Sequence, residues 1–169
     1  MTKTTIFSAI RIYCEGLSQI LSNQDQIEVV EANNSLEDAI LKLDQLMPHM
    51  ILLDMMMPHS CDFAKQVSHL FPQIKIVAIA VPEDEQNIIK CAEAGISGYV
   101  AREATIKELI NTVITADNGE FCCPPQIAAA VFSKVQNMAR EAKDKYLFVS
   151  DSQLGSALRD LTRRERQIL

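Results

Sequence analysis

An α/β fold built on a five-stranded, doubly wound parallel sheet is what the sequence predicts, and two patterns predict it. Between residues 4 and 117, short aliphatic runs alternate with segments of helical period. The runs are continuous rather than alternating in polarity, as strands covered on both faces require. They fall at Thr5–Ala9, Ile27–Ala32, Met50–Asp54, Ile74–Val81 and Ser97–Val100. Five βα units joined by right-handed crossovers place helices on both sides of such a sheet.

The helical segments follow in order. Tyr13, Leu17, Ile20 and Leu21 share one face of the first. Leu36, Ala39, Ile40, Leu43 and Leu46 share a face of the second, with Ser35 and Asp38 at capping-box spacing ahead of it. The third, near Phe63–Phe71, is short and weakly patterned. Ile88, Cys91, Ala92 and Ala94 mark the fourth, which stops at Gly95. Ile106, Leu109, Ile110 and Val113 mark the fifth, opened by a second capping-box pair, Thr105 and Glu108.

After Gly119 the pattern changes. Pro124 and Pro125 suit a helix start, and Gln126–Ala142 reads as a helix with Ile127, Ala130, Val131, Val135 and Met138 on one face. Residues 143–160 have no strong period and read as linker. At the end Thr162 and Glu165 again have capping-box spacing, and Ile168 and Leu169 begin an apolar face.

Charge divides the chain in the same place. The net charge is −6, which argues against a nucleic-acid-binding chain by composition. Residues 140–169 carry seven Lys/Arg against five Asp/Glu, or +2, which leaves −8 on residues 1–139. No apolar run reaches the length of a membrane span, and the N-terminus has no cleavage-site pattern. Cys14, Cys61, Cys91, Cys122 and Cys123 lack metal-ligand spacing, so a reducing cytoplasm is expected; buried packing suits the first three, and redox activity of the adjacent pair is the weaker alternative. No nucleophile–base pair, Gly-rich phosphate loop or metal cluster supports catalysis, and the chain is expected not to be an enzyme.

Three segments carry a family resemblance. Met50-Ile-Leu-Leu-Asp54-Met-Met-Met57-Pro58 resembles the third strand of a response-regulator receiver domain, with its phosphoacceptor aspartate and the Met-Pro that follows. Ala94-Gly-Ile-Ser-Gly98-Tyr99-Val100-Ala101-Arg102 resembles the stretch around the fifth strand of that family. Leu161-Thr162-x-x-Glu165-Arg166-x-Ile168-Leu169 resembles the opening of the helix-turn-helix domain of NarL/LuxR-type response regulators, and Glu15-Gly16-Leu17 and Gly119-Glu120 also suit them. The resemblance implies a flavodoxin-like (βα)5 receiver at residues 1–119, a linker with one helix at 120–160, and at 161–169 the stub of a DNA-binding domain, truncated here.

It also implies a site, from which this sequence departs. Asp54 takes the phosphoacceptor position; read without the family, a strand-ending Asp equally satisfies loop N–H groups. The acidic pair that helps hold Mg²⁺ in the family falls on Ser8 and Ala9, neither a carboxylate. Mg²⁺ wants several oxygen ligands, so its binding is expected to be weak or absent, and no other cofactor is expected. The strand-ending hydroxyl residue falls on Ala80, and the phosphoryl-pairing lysine on Arg102, which keeps the charge with different geometry. Without metal, Arg102 could pair with Asp54 instead. Tyr99 matches the aromatic that rotates on activation, without its hydroxyl partner. Asp62 stands where a glycine is usual; capture of a cation by Asp62, Glu83 or Asp84 is a remote rescue.

The expected function is therefore that of an atypical response regulator: the receiver part of a DNA-binding transcription regulator, not controlled by ordinary Mg²⁺-dependent aspartyl phosphorylation. Two alternatives stand beside it. One is a conventional phosphorylation-dependent regulator. The other is a pseudo-receiver whose vacated pocket near Ser8, Asp54, Ala80 and Arg102 takes a small molecule or a partner segment. A homodimer is expected, with a histidine kinase or another effector upstream. DNA would be met by the C-terminal domain of the full-length protein and not by this chain, in which Arg163, Arg164 and Arg166 read as scaffold or solvated charges.

Overall fold

The computed structural model describes residues 1–81, 85–121, 128–129 and 131–140. Two compact units, residues 1–131 and 132–169, are separable. The expected helix-turn-helix opening at 161–169, the linker beyond residue 140, Pro124, Pro125, Cys122, Cys123, Glu83 and Asp84 lie outside the described residues.

The first unit alternates strands and helices as predicted: β1 (Thr2–Phe7), α1 (Arg11–Ser22), β2 (Ile27–Asn33), α2 (Ala39–Leu46), β3 (Met50–Asp54), α3 (Ser60–Leu70), β4 (Lys75–Val81), α4 (Glu85–Glu93), β5 (Gly98–Ala101) and α5 (Ile106–Asp117). All pairings are parallel, in the order β2-β1-β3-β4-β5, the flavodoxin-like arrangement with its switch point between β1 and β3.

Successive strand residues face opposite sides, and two apolar cores result. Ile6, Leu52, Val77, Ile79 and Val100 pack with Cys14 and Leu21 of α1 and Leu109 and Val113 of α5. Phe7, Ile51, Leu53, Ile76 and Tyr99 pack with residues of α2, α3 and α4. Phe7 and Phe63 meet edge to face, ring centres 5.5 Å apart.

Three details differ from expectation. β1 begins at Thr2 and ends at Phe7, because Thr2 and Thr4, though not aliphatic, pair with β2 on a twisted sheet that accepts β-branched residues. Ser8 and Ala9 therefore lie just beyond the strand. α2 begins at Ala39, with Asp38 as a left-handed N-cap that makes no side-chain capping bond. Ser35 Oγ instead accepts the Glu37 N–H at 3.0 Å, a local turn that competes with the capping box. α3 begins at Ser60, earlier than its apolar pattern, whose buried members are Phe63, Ala64 and Val67.

Other signals hold. α5 carries the full Thr105–Glu108 capping box, although Ile106 is 54% exposed rather than in the core. Past α4, Gly95 takes a left-handed φ of 78°, and a Cβ there would meet Ser68 Oγ at 2.5 Å. Ser68 Oγ itself donates to the Ala94 carbonyl at 2.8 Å, so glycine is needed at 95 for both conformation and approach. In the second unit the described residues are helical to Arg140, with Phe132, Val135 and Met138 exposed.

Candidate functional site

The carboxyl ends of β1, β3 and β4 meet where an open parallel sheet places its reactive groups. Asp54 is the last residue of β3, paired with Ile79 of β4, and Phe7 at the end of β1 pairs with Leu53. This register sets Ser8 beside Asp54. The Ser8 hydroxyl donates to Asp54 Oδ2 at 2.6 Å, within the short range of charge-assisted O–H···O⁻ bonds. Asp54 Oδ1 accepts the backbone N–H of Met56 at 2.9 Å. Asp54 is 4% exposed and Ser8 fully buried, so the carboxylate is enclosed with a donor on each oxygen.

The Ser8 end of β1 is itself held from several sides. Ser8 N–H donates to the Asn33 carbonyl at the end of β2, and Ser8 Oγ lies 3.4 Å from the Ile10 N–H that it accepts. The Cys14 thiol donates to the carbonyls of Ser8 and Asn33, each at 3.3 Å. Burial pushes the Cys14 thiol up from its ordinary pKa, opposed by the hydrogen bond to Ser8 and reinforced by the charge of Asp54. It stays a protonated donor.

The other positions do not join this cluster. Ala9 is exposed and has no polar side-chain atom. Ala80 lies within β4 at φ 56°, a left-handed conformation uncommon for a residue with a Cβ, at a register shift between β4 and β5. Arg102 follows β5 and is exposed; among the described residues its side chain has no ion pair, and Asp54 bonds Ser8 instead. In place of an Arg102–Asp54 pair, Asp54 has a buried link to the adjacent strand end. Tyr99 is 3% exposed, and its hydroxyl donates to the Val81 carbonyl at 3.4 Å. Asp62 is exposed in the first turn of α3.

The vacated pocket expected near Ser8, Asp54, Ala80 and Arg102 is divided. Ser8 and Asp54 fill their own space by bonding each other. Ala80 and Arg102 line a separate cleft between α1 and α5, with Leu17, Ile79, Val100 and Leu109. In the sequence Ser8 reads as a lost carboxylate and a pocket residue, and Cys14 as a small apolar residue. A hydroxyl directly after a central strand, beside a strand-ending carboxylate, was the available signal for the bond.

Comparison with known proteins places this geometry. Residues 10–114 match the family model for the response regulator receiver domain. The transcriptional regulatory protein LnrK of Bacillus subtilis (strain 168) is 26% identical over 171 residues, spanning 100% of this chain and 76% of LnrK. The response regulator protein VraR of Staphylococcus aureus is 25% identical over 141 residues, covering 82% of this chain and 66% of VraR. The isolated receiver domain of RcsB from Salmonella enterica serovar Typhimurium superposes with a TM-score of 0.69 at 17% identity, covering 76% of this chain and 97% of that domain. RcsB has also been solved as two dimers bound to two parallel DNAs. At that identity the likeness to RcsB shows the fold alone. Among the described residues no helix is long and apolar enough to cross a membrane.

Proposed function

The chain belongs to the response-regulator receiver family, and from that premise we propose that it is the receiver part of a LuxR/NarL-type transcription regulator whose output is not set by ordinary Mg²⁺-dependent phosphorylation of Asp54. In this reading the receiver spans residues 1–119, the linker 120–160, and 161–169 opens the DNA-binding domain of a longer, homodimeric protein. A relative supports the regulatory half of the reading: LnrK is a transcriptional regulatory protein.

One observation carries the other half, the 2.6 Å bond from Ser8 Oγ to Asp54 Oδ2. A phosphoacceptor must present a carboxylate oxygen to the phosphorus, and Mg²⁺ must be held beside it by further oxygens. Here one oxygen of Asp54 is taken by a serine proton and the other by a backbone N–H. Ser8 offers Asp54 a hydroxyl proton where a metal-binding site would need a second negative charge. Ala9 adds no donor atom, and no group of three or more His, Cys, Asp or Glu able to hold a metal occurs among the described residues. These residues do not fit Mg²⁺.

Incubation with acetyl phosphate and Mg²⁺, followed by intact-mass measurement, tests the proposal. The expected spectrum shows the unmodified mass. A stoichiometric phosphoryl adduct that disappears in Asp54→Ala would overturn the reading and restore the conventional one.

A further inference from the structure

We propose that the cleft beside Arg102 binds a small organic carboxylate with a short apolar body. The inference deepens the proposed function, because an Arg102 with no phosphoryl group to meet can hold another anion. The cleft lies between α1 and α5 over the ends of β4 and β5. Its floor is hydrocarbon: Leu17, Ile79, Ala80, Val100 and Leu109. Arg102 lines it too, and among the described residues no carboxylate pairs with that guanidinium. Glu108, the nearby acid on α5, is committed to the N–H and hydroxyl of Thr105 at 2.7 and 2.8 Å.

Charge and shape together select the ligand class. A guanidinium pairs a carboxylate through two parallel hydrogen bonds. An apolar recess beside that charge rewards a ligand that carries carbon next to its carboxylate, which inorganic anions do not. The cleft is open to solvent on one side, and its volume is about 70 Å³. That admits a tail of a few carbon atoms and leaves a longer one in water. A second copy of the chain, seated over exposed Ile12, Tyr13 and Ile106 on these helices, is the rival occupant.

The test uses the whole chain and butyrate as probe, followed by ¹H–¹⁵N chemical-shift titration at constant ionic strength, with acetate and butylamine as controls. Saturable shifts around Leu17, Val100 and Thr105 are expected. Butyrate should bind about tenfold more tightly than acetate, because it buries two further methylenes, and butylamine should not bind. Arg102→Gln should abolish binding by removing the charge, and Ala104→Leu, at another lining position, by filling the cleft. Equal binding of acetate and butyrate, no saturation, or retained binding in Arg102→Gln would overturn the proposal. So would a change of oligomeric state in either variant without butyrate binding to the parent chain, which would assign the cleft to a second copy. Intact mass after acetyl phosphate treatment is read on the same sample. A phosphoryl adduct beside saturable butyrate binding counts for the cleft and against the functional reading, so the two failures are distinguishable.

Discussion

Ser8 and Asp54, 46 residues apart in the chain, are joined by a buried hydrogen bond of 2.6 Å at the carboxyl end of the sheet. A fully buried hydroxyl and a nearly buried carboxylate each cost free energy unless paired. The bond satisfies both and ties the end of β1 to that of β3. It should therefore contribute to stability as well as occupy Asp54 Oδ2.

Ser8→Ala is expected to lower stability by about 1.5–3 kcal/mol, the range for hydrogen bonds to charged groups. Urea unfolding measures it. In a double-mutant cycle, Ser8→Ala should cost markedly less in an Asp54→Ala background; equal costs would mean that the two side chains are not coupled.

Ala80 leads to a prediction about reversion. At φ 56° a β-branched side chain is strained further, and glycine is relieved. Ala80→Thr, which nominally restores the family's hydroxyl, should lose about 1–3 kcal/mol of stability. Ala80→Gly should gain up to about 1 kcal/mol. Thermal unfolding of the pair gives the sign directly, and a stabilising threonine would exclude strain at this position.

Thr5 offers a stabilising change. Its Oγ1 is buried and has no hydrogen-bond partner among the described residues. Thr5→Val keeps the shape and removes the unsatisfied hydroxyl, with an expected gain of about 1 kcal/mol. An unchanged or lower urea midpoint would indicate that the hydroxyl is satisfied in solution.

The α5 cap should respond to acid. Hydrogen bonds from the Thr105 N–H and then its hydroxyl hold Glu108 below its ordinary pKa of 4.5. A carboxylate whose pKa is lowered on folding stabilises the fold above its unfolded value. That contribution fades as pH falls from 4.5 through the lower folded value. Glu108→Gln should accordingly flatten the pH dependence of stability below pH 4.5 and leave its slope near neutrality unchanged. Thr105→Ala, removing the cap itself, should cost about 1 kcal/mol at neutral pH. Circular-dichroism melts from pH 3 to 7 cover both variants.

Local pattern carried most of the architecture into view. Met50–Asp54 is β3 residue for residue, since five consecutive buried positions leave no ambiguity of period. The Thr105–Glu108 box is equally plain because its partners are three residues apart. β1 was displaced because threonines serve as buried strand residues there, and α2 because Ser35 found a nearer N–H. The site was legible as departures from the pattern of a resembled family. The Ser8–Asp54 bond depends on the register of β1 against β3, and no local spacing encodes it.

At the opposite end of the sheet, Asp117 closes α5 by accepting the Thr2 hydroxyl at 2.5 Å, while Lys75 Nζ donates to its backbone carbonyl. The first strand's beginning and the last helix's end are thereby clasped together, away from Asp54. The polypeptide leaves the sheet from that clasp. Twelve residues of α5 separate the two ends, about 18 Å of helix at 1.5 Å per residue. A message originating around Asp54 thus cannot reach the downstream chain through its immediate sequence neighbours. The full length of α5 lies between that site and the downstream chain, and the clasp fixes the far end of the helix to the start of β1.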